Sequence, residues 1–156
     1  MRLKKIISGG QTGVDRAALD IAMEIDIPHG GWCPRGRRAE DGVIPDKYQL
    51  EETETKKYQT RTKRNIVDSD GTLIIFREQM SDGTKFTQTI AERLEKPLFI
   101  IDANMPEIPI EEFWSWVLSN NIEILNIAGP RLSNDPELAK SIHELLRTIF
   151  SKMPEK

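Results

Sequence analysis

The chain has 156 residues, with 22 lysines and arginines against 25 aspartates and glutamates for a net charge of −3. That length suits one domain, residues 1–156, with one continuous core. The near-balanced charge gives no field that would draw duplex DNA or an anionic membrane, so neither is an expected partner.

The longest apolar runs, residues 73–76 and 98–101, fall far short of the roughly 20 residues of a membrane span. The opening Met-Arg-Leu-Lys-Lys lacks the apolar stretch of a signal peptide, which makes the chain an expected cytoplasmic protein. A lone cysteine, Cys33, cannot form an internal disulfide and reads as a small buried side chain. His29 and His143 stand apart from it and from each other, so no protein-ligated metal is expected.

In chain order, residues 3–8 read as a short strand and Gly9-Gly10-Gln11-Thr12-Gly13 as a turn. Ala17, Ala18, Ile21, Ala22 and Ile25 then recur at helical spacing. Residues 30–48 form a long loop that Trp32, Cys33, Val43 and Ile44 mark as packed. Residues 51–68 are helical in composition, with Tyr58, Arg61, Thr62 and Asn65 on one stripe. Residues 72–76, 97–101 and 123–127 are runs rich in Ile and Leu without alternation, as in parallel strands buried on both faces.

Between the strands, Thr84 is the expected cap of a helix that inclines Thr87, Ile90, Ala91 and Leu94 to one face and ends before Pro97. Pro109 suits a first helical position, and Ile110, Phe113, Trp114, Val117 and Leu118 follow at helical spacing until Asn120 and Asn121. Asp135 caps a last helix that has Pro136 at its first position and Leu138, Ile142, Leu145, Leu146 and Ile149 inward. This alternation predicts an α/β fold, a doubly wound and mostly parallel sheet with helices on both faces.

The chemistry-bearing residues fall at strand ends. Gly9, Gly10, Gln11, Thr12 and Gly13 place backbone N–H groups at the positive end of a helix without Cβ atoms to block approach, a setting for an anion. The loop lacks the Lys-Ser/Thr ending of a P-loop and the spacing of a dinucleotide fingerprint. Arg16 can reach a phosphate or carboxylate, whereas Asp15 either joins the site or stabilises the helix. Ser81, Gly83 and Thr84 repeat the arrangement after the next strand, with Thr87 one turn on, and read either as an ordinary cap or as the second wall of a crevice. Gly129 and Arg131 end a further strand, as a turn or as a third wall. Arg35 and Arg37 belong to a basic cluster able to serve a small anion, and Tyr58, Arg61 and Asn65 face either solvent or the crevice.

Three runs carry a resemblance: residues 9–20, Gly-Gly-Gln-Thr-Gly-Val-Asp-Arg-Ala-Ala-Leu-Asp; residues 33–42, Cys-Pro-Arg-Gly-Arg-Arg-Ala-Glu-Asp-Gly; and residues 69–73, Ser-Asp-Gly-Thr-Leu. With residues 60–62, 81–84 and 126–131, the chain resembles the molybdenum cofactor carriers of the SLOG superfamily over nearly its whole length. That resemblance implies a Rossmann-like fold, a dimer or tetramer, and a carrier whose glycine loops hold the phosphate of molybdopterin. The molybdenum would be held by the pterin dithiolene, and no residue would be catalytic.

Cytokinin-activating relatives carry Pro-Gly-Gly-x-Gly-Thr and a catalytic Glu where this chain has Ser81-Asp82-Gly83-Thr84 followed by Lys85, Phe86 and Thr87, which argues against phosphoribohydrolase chemistry. The alternative is a sensor or hydrolase of a nucleotide derivative, with Asp15, Glu40, Asp41 or Asp70 as acid or base and Arg61 as clamp.

Overall fold

The computed structural model describes residues 3–155. Its first unit is β1 (Lys5–Ile7), α1 (Val14–Glu24) and β2 (His29–Gly30). Four two-residue strands follow, β3 (Trp32–Cys33), β4 (Arg38–Ala39), β5 (Gly42–Val43) and β6 (Glu51–Glu52). The second half runs α2 (Tyr58–Asp68), β7 (Gly71–Phe76), α3 (Asp82–Arg93), β8 (Leu98–Asp102), α4 (Ile110–Ser119), β9 (Ile124–Ala128) and α5 (Pro136–Ser151).

One parallel sheet of order β2-β1-β9-β7-β8 organises these elements. Alternate strand residues serve opposite faces. Ile6, Leu73, Ile75, Ile101, Leu125 and Ile127 pack with α1, α4 and α5 in the main core, where Phe113 and Trp114 supply the bulk. Ile7, Thr72, Ile74 and Asn126 lie on the other face, which α2 and α3 cover. The alanines of α1 let it lie close to the sheet, and Gly129 does the same at the end of β9, because a Cβ there would strike the carbonyl of Ile75 and the side chain of Val14. The doubly wound fold is as the alternation predicts, and α1 and α3 leave β1 and β7 toward opposite faces, which opens a crevice at the carboxyl ends around β9.

Several boundaries differ from the sequence reading. Residues 30–48 are no irregular loop: β3 pairs in parallel with β6, and β4 pairs antiparallel with β5. They close a second core of Leu19, Cys33, Ala39, Ile44 and Tyr48, whereas Val43 is 69% exposed. Because Glu51 and Glu52 are held by β3, the helix expected over 51–68 starts only at Tyr58. Ser81 rather than Thr84 caps α3, its hydroxyl accepting the Thr84 amide at 3.4 Å. Pro109 sits just before α4 rather than inside it. Asp135 does cap α5, accepting the Leu138 amide at 3.0 Å, and is itself held by Arg77 at 3.0 Å.

Candidate functional site

A cavity of about 790 Å³ opens where β1, β9 and β7 end. The glycine loop contributes Gly9, Gln11 and Asp15, and α2 contributes Tyr58, Gln59, Arg61, Thr62 and Asn65. The far wall is the turn into α3, from Gln79 through Ser81, Gly83 and Thr84 to Thr87. Asn126, Gly129, Arg131 and Asn134 complete it. The three strand ends and the helix stripe singled out in the sequence therefore meet at one place.

Arg61 is fixed before any ligand arrives. Its Nη1 donates to the Gly9 carbonyl at 3.0 Å, and its Nε donates to the Tyr58 carbonyl and the Thr62 hydroxyl, both at 3.1 Å. Its guanidinium lies 5.3 Å from the Tyr58 ring centre, within cation–π range. Gly9 makes room for it, since a Cβ there would collide with the guanidinium. Nη1 also lies 3.5 Å from Oδ2 of Asp15, whose side chain is 8% exposed. Burial pushes the Asp15 carboxyl up to about 6, against the downward pull of Arg61 and of the Gln11 amide.

Three amides of the glycine loop, those of Gly10, Gln11 and Thr12, are already used, as is that of Val14 at the start of α1. Gly10 N donates to Ser8 Oγ at 3.4 Å, Gln11 N to Asp15 Oδ2 at 3.3 Å, Thr12 N to Gln11 Oε1 at 3.0 Å, and Val14 N to the Pro130 carbonyl at 3.3 Å. Gly10 and Gly13 are glycines for packing: both have positive φ, and their Cβ positions are taken by Leu50 and by the Pro130 carbonyl. Donors that remain open lie across the cavity, at the amino end of α3, where Gly83 faces empty space.

The other residues expected at the site hold the chain together instead. Arg16 donates to the Gly10 carbonyl at 3.0 Å and pairs with Asp41, so neither is at the cavity. Arg37 donates to the carbonyls of Pro45 and Tyr48 at 2.9 and 2.8 Å beside a separate hollow of about 330 Å³. Arg35 is exposed outside both. Asp70 accepts the amides of Glu123 and Ile124 at 3.0 and 2.8 Å, at the opposite end of the sheet, and cannot act in the cavity. Gln59, Gln79, Met80 and Asn134 line the cavity without having been singled out; Gln79 and Met80 follow a strand as Ser81 does, and that position was their available signal.

Glu40 straps the β4–β5 hairpin across the glycine loop. It accepts from the Thr12 hydroxyl and from the Ser133 amide at 3.2 Å, and lies 3.5 Å from Arg131 Nε, while its own amide donates to Gln11 Oε1 at 2.9 Å. Burial works to raise its carboxyl, but the Ser133 and Thr12 hydroxyls, the Ser133 amide and Arg131 together hold it below the usual carboxylate range. Glu40→Gln is expected to lower stability by about 1–2 kcal/mol at neutral pH, the worth of charge-assisted hydrogen bonds at a partly exposed site. The depressed carboxyl makes that contribution above its unfolded value near 4.5, so in chemical denaturation the two proteins should converge as pH falls through the lower folded value.

Cys33 is buried and burial raises its thiol, which suits a packing role. Among the described residues no three His, Cys, Asp or Glu side chains gather as a metal site. No helix among them is long and apolar enough to cross a membrane.

Comparison with known proteins places this architecture. No curated protein matches the chain. A crystal structure from Syntrophus aciditrophicus SB, named "putative molybdenum carrier protein", matches at 48% identity over 94% of each chain with a TM-score of 0.87. The family model described as "Circularly permutated YpsA SLOG family" matches residues 6–150, which span the sheet, the cavity and nearly all of α5, and this chain belongs to that family.

Proposed function

We propose that this chain is a carrier that holds a small phosphorylated heterocycle, a molybdenum-bearing pterin, in the cavity without transforming it. The observation that carries the reading is the polar cavity of about 790 Å³ with Arg61 already locked at its wall. A preset guanidinium binds phosphate without the entropy cost of ordering a long side chain. The phosphate is assigned to Arg61 and the amino end of α3 rather than to the Gly9–Gly13 loop, where the amides of Gly10, Gln11 and Thr12 are occupied. The cavity is lined by neither cysteine nor histidine, a donor set that leaves molybdenum to the ligand's own dithiolene as cargo. The molybdenum carrier named for the matching structure supports the same reading.

The reading includes a cytoplasmic homo-oligomer, dimer or tetramer, as the superfamily resemblance implies. Protein purified from a host that makes the cofactor is expected to contain molybdenum and to release a fluorescent pterin on oxidation. Absence of both, with no uptake of added cofactor, would overturn the proposal.

Asp15 favours one second reading, a nucleotide hydrolase, since a carboxyl near 6 exchanges its proton close to neutral pH. Release of free base from nucleoside monophosphates would establish it.

A further inference from the structure

We propose that Asp15 reads the amino edge of the bound ring: its carboxylate accepts the 2-amino group and adjacent ring N–H of a 2-aminopyrimidin-4-one, the ring shared by pterins and guanine. The inference rests on the carrier reading of the same cavity and names the chemical class that the cavity selects.

Asp15 is buried, lines the cavity and is poorly satisfied. A carboxylate offers about four acceptor positions. The side chain of Asp15 receives the Gln11 amide at 3.3 Å and, more weakly, feels the Gly9 amide, while Arg61 Nη1, committed to the Gly9 carbonyl at 3.0 Å, stays at 3.5 Å, outside good hydrogen-bond distance. Buried carboxylates are normally better compensated than this. Burial outweighs these favourable interactions and pushes its carboxyl up.

Asn126 extends the pattern. It is buried, lines the same cavity and commits Nδ2 to the Thr72 hydroxyl at 3.2 Å, which leaves its carbonyl as an acceptor. Asp15 and Asn126 thus offer acceptors near the ends of β1 and β9, and Arg61 and the amino end of α3 offer donors, with Arg131 a further cation and Asp82 a further carboxylate in the lining. A phosphate beside Asp15 would meet negative charge. A ring edge with two neighbouring N–H donors would supply what the carboxylate lacks, and the phosphate of the same molecule would reach the donor wall. Adenine, with an acceptor at the matching ring nitrogen, does not fit this edge.

The test uses the full chain and two pairs of ligands, GMP with XMP and pterin-6-carboxylate with lumazine-6-carboxylate. Each pair exchanges a 2-amino donor for a 2-oxo acceptor and keeps the ring N–H beside the 4-oxo (purine 6-oxo) group, while the ring nitrogen on the other side of the exchanged carbon turns from acceptor to N–H. By calorimetry the wild type is expected to prefer the amino member of a pair by about tenfold or more, the worth of one charge-assisted hydrogen bond. Asp15→Asn, whose amide can donate to the 2-oxo group, is expected to reverse the preference, which a merely structural residue would not do. If the wild type binds both members within about threefold, or if Asp15→Asn keeps the amino preference, the assignment of Asp15 falls and the carrier reading stands. If the wild type binds none of the four, the assignment of Asp15 falls, and the carrier reading is then decided by uptake of added cofactor.

Discussion

Arg61→Ala is expected to lower stability by about 3–5 kcal/mol and to abolish ligand retention. The side chain ties α2 to the end of β1 through Gly9, braces its own helix through Tyr58 and Thr62, and is the nearest cation to a carboxylate that is 8% exposed. Removing it leaves the Gly9 carbonyl unpaired and takes away the largest downward pull on the Asp15 carboxyl, which must then either carry a charge that the site already disfavours or take up a proton. Denaturant titration at neutral pH measures the loss. In an Asp15→Asn background the same substitution should cost clearly less, and that coupling separates the lost pairing from lost packing.

Asp15→Asn alone is expected to act in the opposite direction and stabilise the ligand-free protein by about 2–3 kcal/mol at neutral pH, roughly 5–10 °C in melting temperature. Loss of an ion pair would ordinarily destabilise, but this pair is asymmetric. Arg61 keeps three other acceptors, whereas Asp15 has the amide of Gln11, a weaker one from Gly9 and a distant guanidinium. The carboxyl sits near 6 in the fold against 3.8 as its reference, so between those values the native state binds the extra proton and stability falls as pH rises. The variant and wild type should therefore melt together below about pH 4 and separate as pH rises through 6, with the variant the more stable. Equal melting temperatures at pH 5 and pH 8 would refute the account of Asp15. A charge kept at such a cost marks a group retained for binding rather than for folding.

The sheet was legible in the sequence because its strands announce themselves by composition. Residues 72–76, 97–101 and 123–127 lie within one residue of β7, β8 and β9 at each end. The pairing of Trp32–Cys33 with Glu51–Glu52 was not legible, since two-residue strands are defined by a partner distant in sequence rather than by local pattern. The same distinction governs the site. Strand ends and helix starts gave the location, and Gly9, Asp15, Arg61, Ser81, Thr84 and Gly129 do line one cavity. What each backbone amide does was hidden: Gly10 and Gly13 are glycines that pass Ile44, Leu50 and the Pro130 carbonyl, while Ser8, Gln11 and Asp15 take the amides of Gly10, Thr12 and Gln11. Arg16 and Arg37 lie away from the cavity, on carbonyls of the loops, because an arginine near a loop can serve a ligand or the loop's own carbonyls, and only tertiary geometry shows which it meets.

Native mass spectrometry of the freshly purified wild type and Arg61→Ala proteins tests the central claim most directly. A phosphorylated heterocycle in the cavity predicts a wild-type mass above that of the bare chain, or one that becomes so on addition of molybdopterin, together with an Arg61→Ala protein that stays bare. A folded wild type that remains at the bare mass after molybdopterin is added would contradict the account.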